Sequence, residues 1–238
     1  MRLYELIDFD PKQSNQSVGS YSQRVQRATN PTHMGHGSFG AAYATDSPKR
    51  LNQITKIGKA ASMPNGRIIP ADKISDDGYL SWLAMVDGCK HEGNNNPYFP
   101  VIHDLKIMRG NDGKLHYRVN MERLIPFDTP KILGNEDLMS ALCNNMFGKD
   151  IQKKEGYDNT NEEYDDIRGA YGDLIKHQLI RGLKNANAVK DENLRDALLA
   201  IKYLIDDSKE FTEDIHSGNI MWRITGNIPQ LVLVDPLA

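Results

Sequence analysis

Four residues have side chains and a spacing that could do chemistry together: Asp214, His216 two positions on, Asn219 five positions on, and Asp235 at the end of the apolar run Leu231-Val-Leu-Val. A carboxylate beside an attacking hydroxyl, with oxygen ligands for a magnesium ion, is what phosphoryl transfer requires, because there a protein works mainly by positioning groups and neutralising charge. Asp214 takes the part of the hydroxyl-orienting base. Asn219 offers an amide oxygen and Asp235 a carboxylate, both hard donors of the kind Mg2+ prefers. An expected hairpin links the two: Ile220 to Ile224, a Thr225-Gly226-Asn227 turn, and Gln230 to Val234. The plain alternative is a polar loop ahead of an ordinary hairpin. A strand that ends on Asp235 supplies the context in which D-x-x-x-x-N acquires a metal-binding meaning.

A second set precedes it by most of the chain. Met34-Gly35-His-Gly37-Ser38-Phe-Gly40 completes a G-x-G-x-x-G pattern. In a dinucleotide fold an apolar strand precedes the glycines and a helix follows them. Here the preceding segment is polar, and Ala41 to Thr45 reads as a strand. Lys56 follows inside the strand-like Asn52-Gln-Ile-Thr-Lys56-Ile-Gly58. A glycine-rich hairpin, a strand and then a lysine is the order in which backbone amides around Gly35, Gly37, Ser38 and Gly40 cover phosphates while Lys56 contacts them. A solvated strand lysine is the competing account. The two sets must meet on one triphosphate for either to matter.

The remaining elements would have to position these groups. Ser75 to Val86 reads as a helix with Ser75 as N-cap and Asp76 and Asp77 in its first turn. No glutamate occupies its body, so Asp76 or Asp77 either pairs with Lys56 or serves the helix dipole. Val101 to Met108 and Lys114 to Glu122 form an expected hairpin, with Leu115, Tyr117, Val119 and Met121 alternating onto one face. Its exit, Met121-Glu122-Arg-Leu124-Ile-Pro126, reads as a strand entering a linker. There the Glu122 carbonyl and Leu124 amide could hold an adenine edge beside Met121, or the strand simply ends. Residues 127 to 213 read as helical: Asn135 to Phe147, a second helix from the Thr160-Asn-Glu-Glu163 capping box towards Gly182, and a third carrying Leu194, Ala197, Leu198, Ile201, Leu204 and Ile205 at helical spacing.

Composition narrows the class. The chain has 238 residues, enough to bury a sizeable core, and a net charge of −3, which gives no overall basic excess for nucleic acid or an anionic membrane. Cys89 and Cys143 follow no metal or redox spacing, which fits a reducing compartment. No apolar run approaches the roughly 20 residues that span a bilayer. The start, Met1-Arg-Leu-Tyr-Glu-Leu-Ile-Asp, carries acids where a signal peptide would not. The expectation is a soluble, intracellular protein that engages neither nucleic acid nor membrane directly.

Met34-Gly-His-Gly-Ser-Phe-Gly-Ala-Ala-Tyr43, Thr55-Lys-Ile-Gly58, Asp214-Ile-His-Ser-Gly-Asn-Ile-Met221 and Val234-Asp-Pro236 together resemble the early serine/threonine protein kinases of podoviruses like coliphage T-seven. That resemblance implies an α+β, two-lobed protein-kinase-like fold: a leader over 1–33, an N-terminal antiparallel β-sheet lobe over 34–124, and a short, mainly helical C-terminal lobe over 125–238. It further implies ATP- and Mg2+-dependent phosphorylation of bacterial host proteins, including transcription and RNA-processing machinery, in the cytoplasm of the infected host. Asp214, His216 and Lys56 would be catalytic, Asn219 and Asp235 would hold metal, and Gly35, Gly37, Ser38, Gly40, Lys56, Met121, Glu122 and Leu124 would bind nucleotide. Thr212-Glu213 precedes Asp214 where eukaryotic kinases carry His-Arg, and His216 stands where they carry lysine. Three residues follow Asp235, which leaves no room for a eukaryotic activation segment, so substrate recognition falls to the helices before Asp214 or to a partner.

Two other accounts compete. Aminoglycoside and choline kinases also carry a histidine at the position of His216, and a small-molecule phosphotransferase would want an acidic pocket, for which Glu162, Glu163, Asp165 and Asp166 are the candidates. A kinase-like decoy that binds a host protein without catalysis is the third. His216 itself either donates to the transferring phosphoryl group or braces its loop. Ser38 and Ser217 are conceivable autophosphorylation sites.

Overall fold

The computed structural model describes residues 32–36, 40–44, 53–59, 78–109, 115–148, 167–208 and 211–238. The described chain is α+β, built from antiparallel sheets and several helices, and it divides into two units. The first unit runs to Asn95 and resumes over Pro100–Arg123; the second is Asn96–Phe99 together with Leu124–Ala238. No described helix is long and apolar enough to cross a membrane.

The first unit contains β1 (Thr32–His36), β2 (Gly40–Ala44), β3 (Gln53–Lys59), α1 (Gly78–His91), β4 (Ile102–Arg109) and β5 (Leu115–Glu122). The strands form one antiparallel sheet in the order β1-β2-β3-β5-β4. β1 begins at Thr32, inside the span expected to be a leader, because it finds its partner in β2, with Thr32 opposite Ala44. In β5 the alternation seen in the sequence is the burial pattern: Tyr117, Val119 and Met121 are buried while Arg118 and Asn120 are half-buried. Opposite residues of antiparallel strands share a face. Register therefore puts Lys56 with Val119 and Ile54 with Met121 on one side, together with Ile102 and Ile107 of β4.

The other face of that sheet carries buried Ile57 together with polar side chains. The Thr55 hydroxyl donates to Asn120 Oδ1 at 2.8 Å, and Arg118 pairs with Asp104. α1 buries Tyr79, Leu80, Trp82, Leu83, Ala84 and Val86. The Tyr79 ring lies 5.6 Å from that of Tyr117, so the helix covers the apolar face, the one that carries Lys56.

The second unit contains β6 (Ile125–Pro126), α2 (Pro130–Leu133), α3 (Glu136–Met146), α4 (Ile167–Lys184), a 3-10 turn at Ala186–Ala188, α5 (Glu192–Ser208), β7 (Ile220–Thr225) and β8 (Ile228–Leu233). Proline opens α2 at a position where its missing N–H costs nothing. Asn135 caps α3 by accepting the Leu138 N–H at 3.1 Å, and Asp191 caps α5 by accepting that of Leu194 at 2.9 Å. Of the expected stripe of α5, Leu194, Ala197, Leu198 and Ile201 are buried, while Leu204 and Ile205 are half-buried. α4 meets that helix closely at Gly182, where a Cβ would stand 2.6 Å from Leu198 Cδ1 and 2.7 Å from Val189 Cγ2.

β6, β7 and β8 make a three-stranded antiparallel sheet in that order. β7 and β8 are joined by the two residues Gly226-Asn227, and Gly226 has φ +65°, the left-handed conformation such tight hairpins need. Trp222 is fully buried, stacked on Phe127 at 5.5 Å, with its indole N–H donating to the Phe127 carbonyl at 2.8 Å.

Asn96–Phe99 lies within the span expected to be N-lobe yet is held by the second unit, because its polar groups are satisfied there. Leu233 N–H donates to the Tyr98 carbonyl at 2.9 Å. The Arg223 guanidinium donates to the carbonyls of Pro97 and Phe99, each at 2.8 Å, and Asn96 Nδ2 to that of Asn193 at 2.7 Å. Burial, and then the neighbouring Asp191, push the Tyr98 hydroxyl well above its ordinary pKa.

Candidate functional site

The loop from Phe211 to Asn219 has little regular structure of its own, yet it is tied down along its length. Thr212 and Ala238 exchange backbone hydrogen bonds in both directions at 3.0 Å, and Glu213 bridges Leu237. Asp214 N–H donates to the Pro236 carbonyl at 2.9 Å. At the other end the Asn219 carbonyl accepts from Val234 N–H at 2.9 Å and from Asp235 N–H at 3.4 Å. Phe211, Ile215, Ile220, Val234 and Leu237 are buried around it, which anchors the polar residues between them. Asp214, Asn219 and Asp235 are thus brought together by backbone pairing between residues far apart along the chain.

The side chains fit that frame. Asn219 Nδ2 donates to Asp214 Oδ2 at 2.7 Å and to the Asp214 carbonyl at 2.9 Å. Both partners are acceptors, so the amide nitrogen must face them, and Oδ1 is directed elsewhere. Among the described residues Oδ1 accepts no hydrogen bond. Asp214 keeps 41 % of its side-chain surface exposed, which leaves its carboxylate accessible to an incoming hydroxyl.

His216 is held from within the loop. Its Nδ1 accepts the Gly218 N–H at 3.0 Å, so the ring proton of the neutral imidazole sits on Nε2, 3.6 Å from Asp214 Oδ2. That separation is too long for a hydrogen bond but close enough for electrostatic contact. A Cβ at Gly218 would lie 2.8 Å from His216 Cε1, so glycine is what lets the ring lie against the backbone. The ring is thus tied to its own loop through the Gly218 N–H.

The first unit holds the other expected residues except Leu124. Lys56 sits in β3 opposite Ala42 and Val119, with Nζ 3.6 Å from the centroid of the Tyr79 ring. Gly35 and Gly40 fall in β1 and β2, opposite Ala42 and Gly58 respectively; Gly37 and Ser38 lie outside the described residues. Met121 is buried opposite Ile54 and Ile102. Glu122 commits its N–H to the Val101 carbonyl at 3.0 Å and Oε1 to the Val101 N–H at 2.8 Å. Leu124 opens the second unit. Asp76, Asp77, Glu162, Glu163, Asp165 and Asp166 also lie outside the described residues.

Sequence patterns missed three contributors. Tyr79 packs on Lys56, Gly218 seats His216, and Pro236 anchors Asp214 through its carbonyl. Only the proline had a local signal, by following the strand-terminal Asp235. Among the described residues no group of three or more His, Cys, Asp and Glu side chains is placed to hold a metal ion. Two protein oxygens, from Asn219 and Asp235, still suit Mg2+, which usually takes one or two carboxylates and completes its shell with phosphate and water.

No family model matches the chain, and no curated protein matches it.

Proposed function

We infer that the protein is an ATP- and Mg2+-dependent serine/threonine protein kinase of phage type, a protein-kinase-like fold whose two lobes correspond to the two units. The observation that carries this is the Asp214–Asn219–Asp235 constellation, in which the Asn219 amide nitrogen donates to the candidate base and the backbone of Asp235 is tied to that of Asn219. Asp214 accepts a hydrogen bond from the substrate hydroxyl and then its proton, as that oxygen bonds to the γ-phosphorus and the bond from the γ-phosphorus to the bridging oxygen breaks to release ADP. Asn219 Oδ1 and the Asp235 carboxylate would hold the metal, which when bound neutralises the developing phosphate charge. Lys56 contacts the phosphates, Gly35, Gly37, Ser38 and Gly40 cover them with backbone, and Met121, Glu122 and Leu124 receive the adenine. Bacterial host proteins are the expected substrates, in the cytoplasm of the infected cell.

Purified full-length protein, γ-labelled ATP, Mg2+ and a bacterial lysate test this directly. Many lysate proteins should become labelled, and Asp214→Ala or Asp235→Ala should abolish the labelling. Label that persists in both variants rejects the assignment. His216, set beside the base, also suits a small-molecule phosphotransferase. That reading predicts transfer to amino or hydroxyl compounds with lysate proteins untouched.

A further inference from the structure

We propose that the Tyr79 ring positions the Lys56 ammonium for the nucleotide phosphates. The inference rests on the phosphate role assigned above to Lys56. A lysine on a flexible four-carbon stem contributes to phosphate binding in proportion to how well its head is held. In β3 the stem of Lys56 leaves the sheet on the face that α1 covers, and Nζ comes to rest 3.6 Å from the Tyr79 centroid. A cation centred over a ring at that distance is attracted by the negative face of the π system, more strongly where water is displaced. Tyr79 is 8 % exposed, so the contact is largely shielded.

The ring is itself held. Tyr79 is the second residue of α1, and it tilts at 57° against Tyr117, whose side chain is 1 % exposed. Tyr117 stands two residues before Val119, the residue opposite Lys56, so the ring and the lysine share one stretch of sheet. Asp87, the acid of the described helix, does not compete for this place. It lies eight residues further on, about 12 Å along the axis, and pairs with His91 at 3.5 Å.

Tyr79→Leu should weaken Mg-ATP binding by the full-length protein about tenfold, the range expected for losing a shielded cation–π contact. Because Tyr79 is buried, that variant could lose affinity through misfolding alone. A second series avoids this: Tyr79→Phe, which keeps the ring and should recover most of the loss, followed by replacement of Tyr79 with mono-, di- and trifluorophenylalanine. Fluorination drains the π face at nearly constant shape. The Mg-ATP dissociation constant should rise stepwise along the series while melting temperatures stay together. A flat series in a protein that binds Mg-ATP overturns the role of Tyr79 and leaves the kinase assignment standing. Wild-type protein that binds no Mg-ATP overturns the assignment and this inference with it.

Discussion

Replacing Asn219 by aspartate changes one atom of an amide and reverses what it offers Asp214. In the native loop Nδ2 donates at 2.7 Å to Asp214 Oδ2 and at 2.9 Å to its carbonyl. Asn219→Asp puts an oxygen there and sets two carboxylates with charge centres about 4 Å apart, a repulsion of about 1 kcal/mol in water and about 4 kcal/mol at an effective dielectric of about 20. Asp214 is 41 % exposed on its side chain. Solvent screening therefore brings the figure to about 1–2 kcal/mol, which disfavours the state in which both carboxylates are charged. Asn219→Ala provides the control, since it also loses both donated hydrogen bonds, worth about 1–2 kcal/mol together, but adds no charge.

The pH dependence has a definite sign. A carboxyl whose folded pKa is raised above its unfolded value of about 3.9 destabilises the fold progressively as pH rises from the unfolded value through the folded one, and has no such effect below the unfolded value. Asn219→Asp should match Asn219→Ala near pH 3.5 and fall about 1–2 kcal/mol below it by about pH 8, the gap closing in about 1 M salt. Urea denaturation midpoints of both variants across that range measure this. An Asn219→Asp protein as stable as wild type at about pH 8 in low salt would refute the amide-to-carboxylate contact.

Gly218→Ala should cost less than about 1 kcal/mol of stability, because the exposed His216 ring can swing away from the new methyl. Lysate phosphorylation should nevertheless fall as far as in His216→Ala, and the double variant should be no worse than either single one. Gly182→Ala has no such escape, since Leu198 and Val189 are packed against the site; about 1–3 kcal/mol lost in urea unfolding is expected. Burial pushes the Cys143 thiol up to about 12 from 9.0. Iodoacetamide at about pH 8 should therefore leave Cys143 unmodified until the protein is unfolded, as peptide mapping would show. The neutral thiol stabilises the fold below its unfolded pKa, so that contribution should be lost progressively as pH climbs from about 9 towards about 12.

Elements whose signals are local could be read from the chain. The alternation of Tyr117, Val119 and Met121 became the buried face of β5, and the stripe from Leu194 to Ile201 became the buried face of α5. The hairpin after Asn219 formed about Gly226, where the turn residues asked for it. Asn135 and Asp191 cap helices at positions that composition alone suggests. Elements defined by a distant partner were not legible. β6 is two residues long and exists because Trp222 and Met221 lie opposite it. Asn96–Phe99 carries no mark of the unit that holds it, since its bonds run to Asn193, Arg223 and Leu233.

The sequence by itself determined which residues are chemically equipped: an acid, an amide five positions on, a second acid after a strand, and a lysine in a strand beyond a run of glycines. Residue type and short-range period suffice for that, because helix and strand periodicities act over a few residues. Tertiary structure alone decided how those groups are oriented. The direction of the Asn219 amide follows from two acceptors on Asp214, the set of the His216 ring from a bare backbone at Gly218, and the partner of Lys56 from a helix that begins more than twenty residues later. The first two are contacts within one loop and the third crosses the chain, and each is fixed by packing and by the need to satisfy polar groups once they leave water.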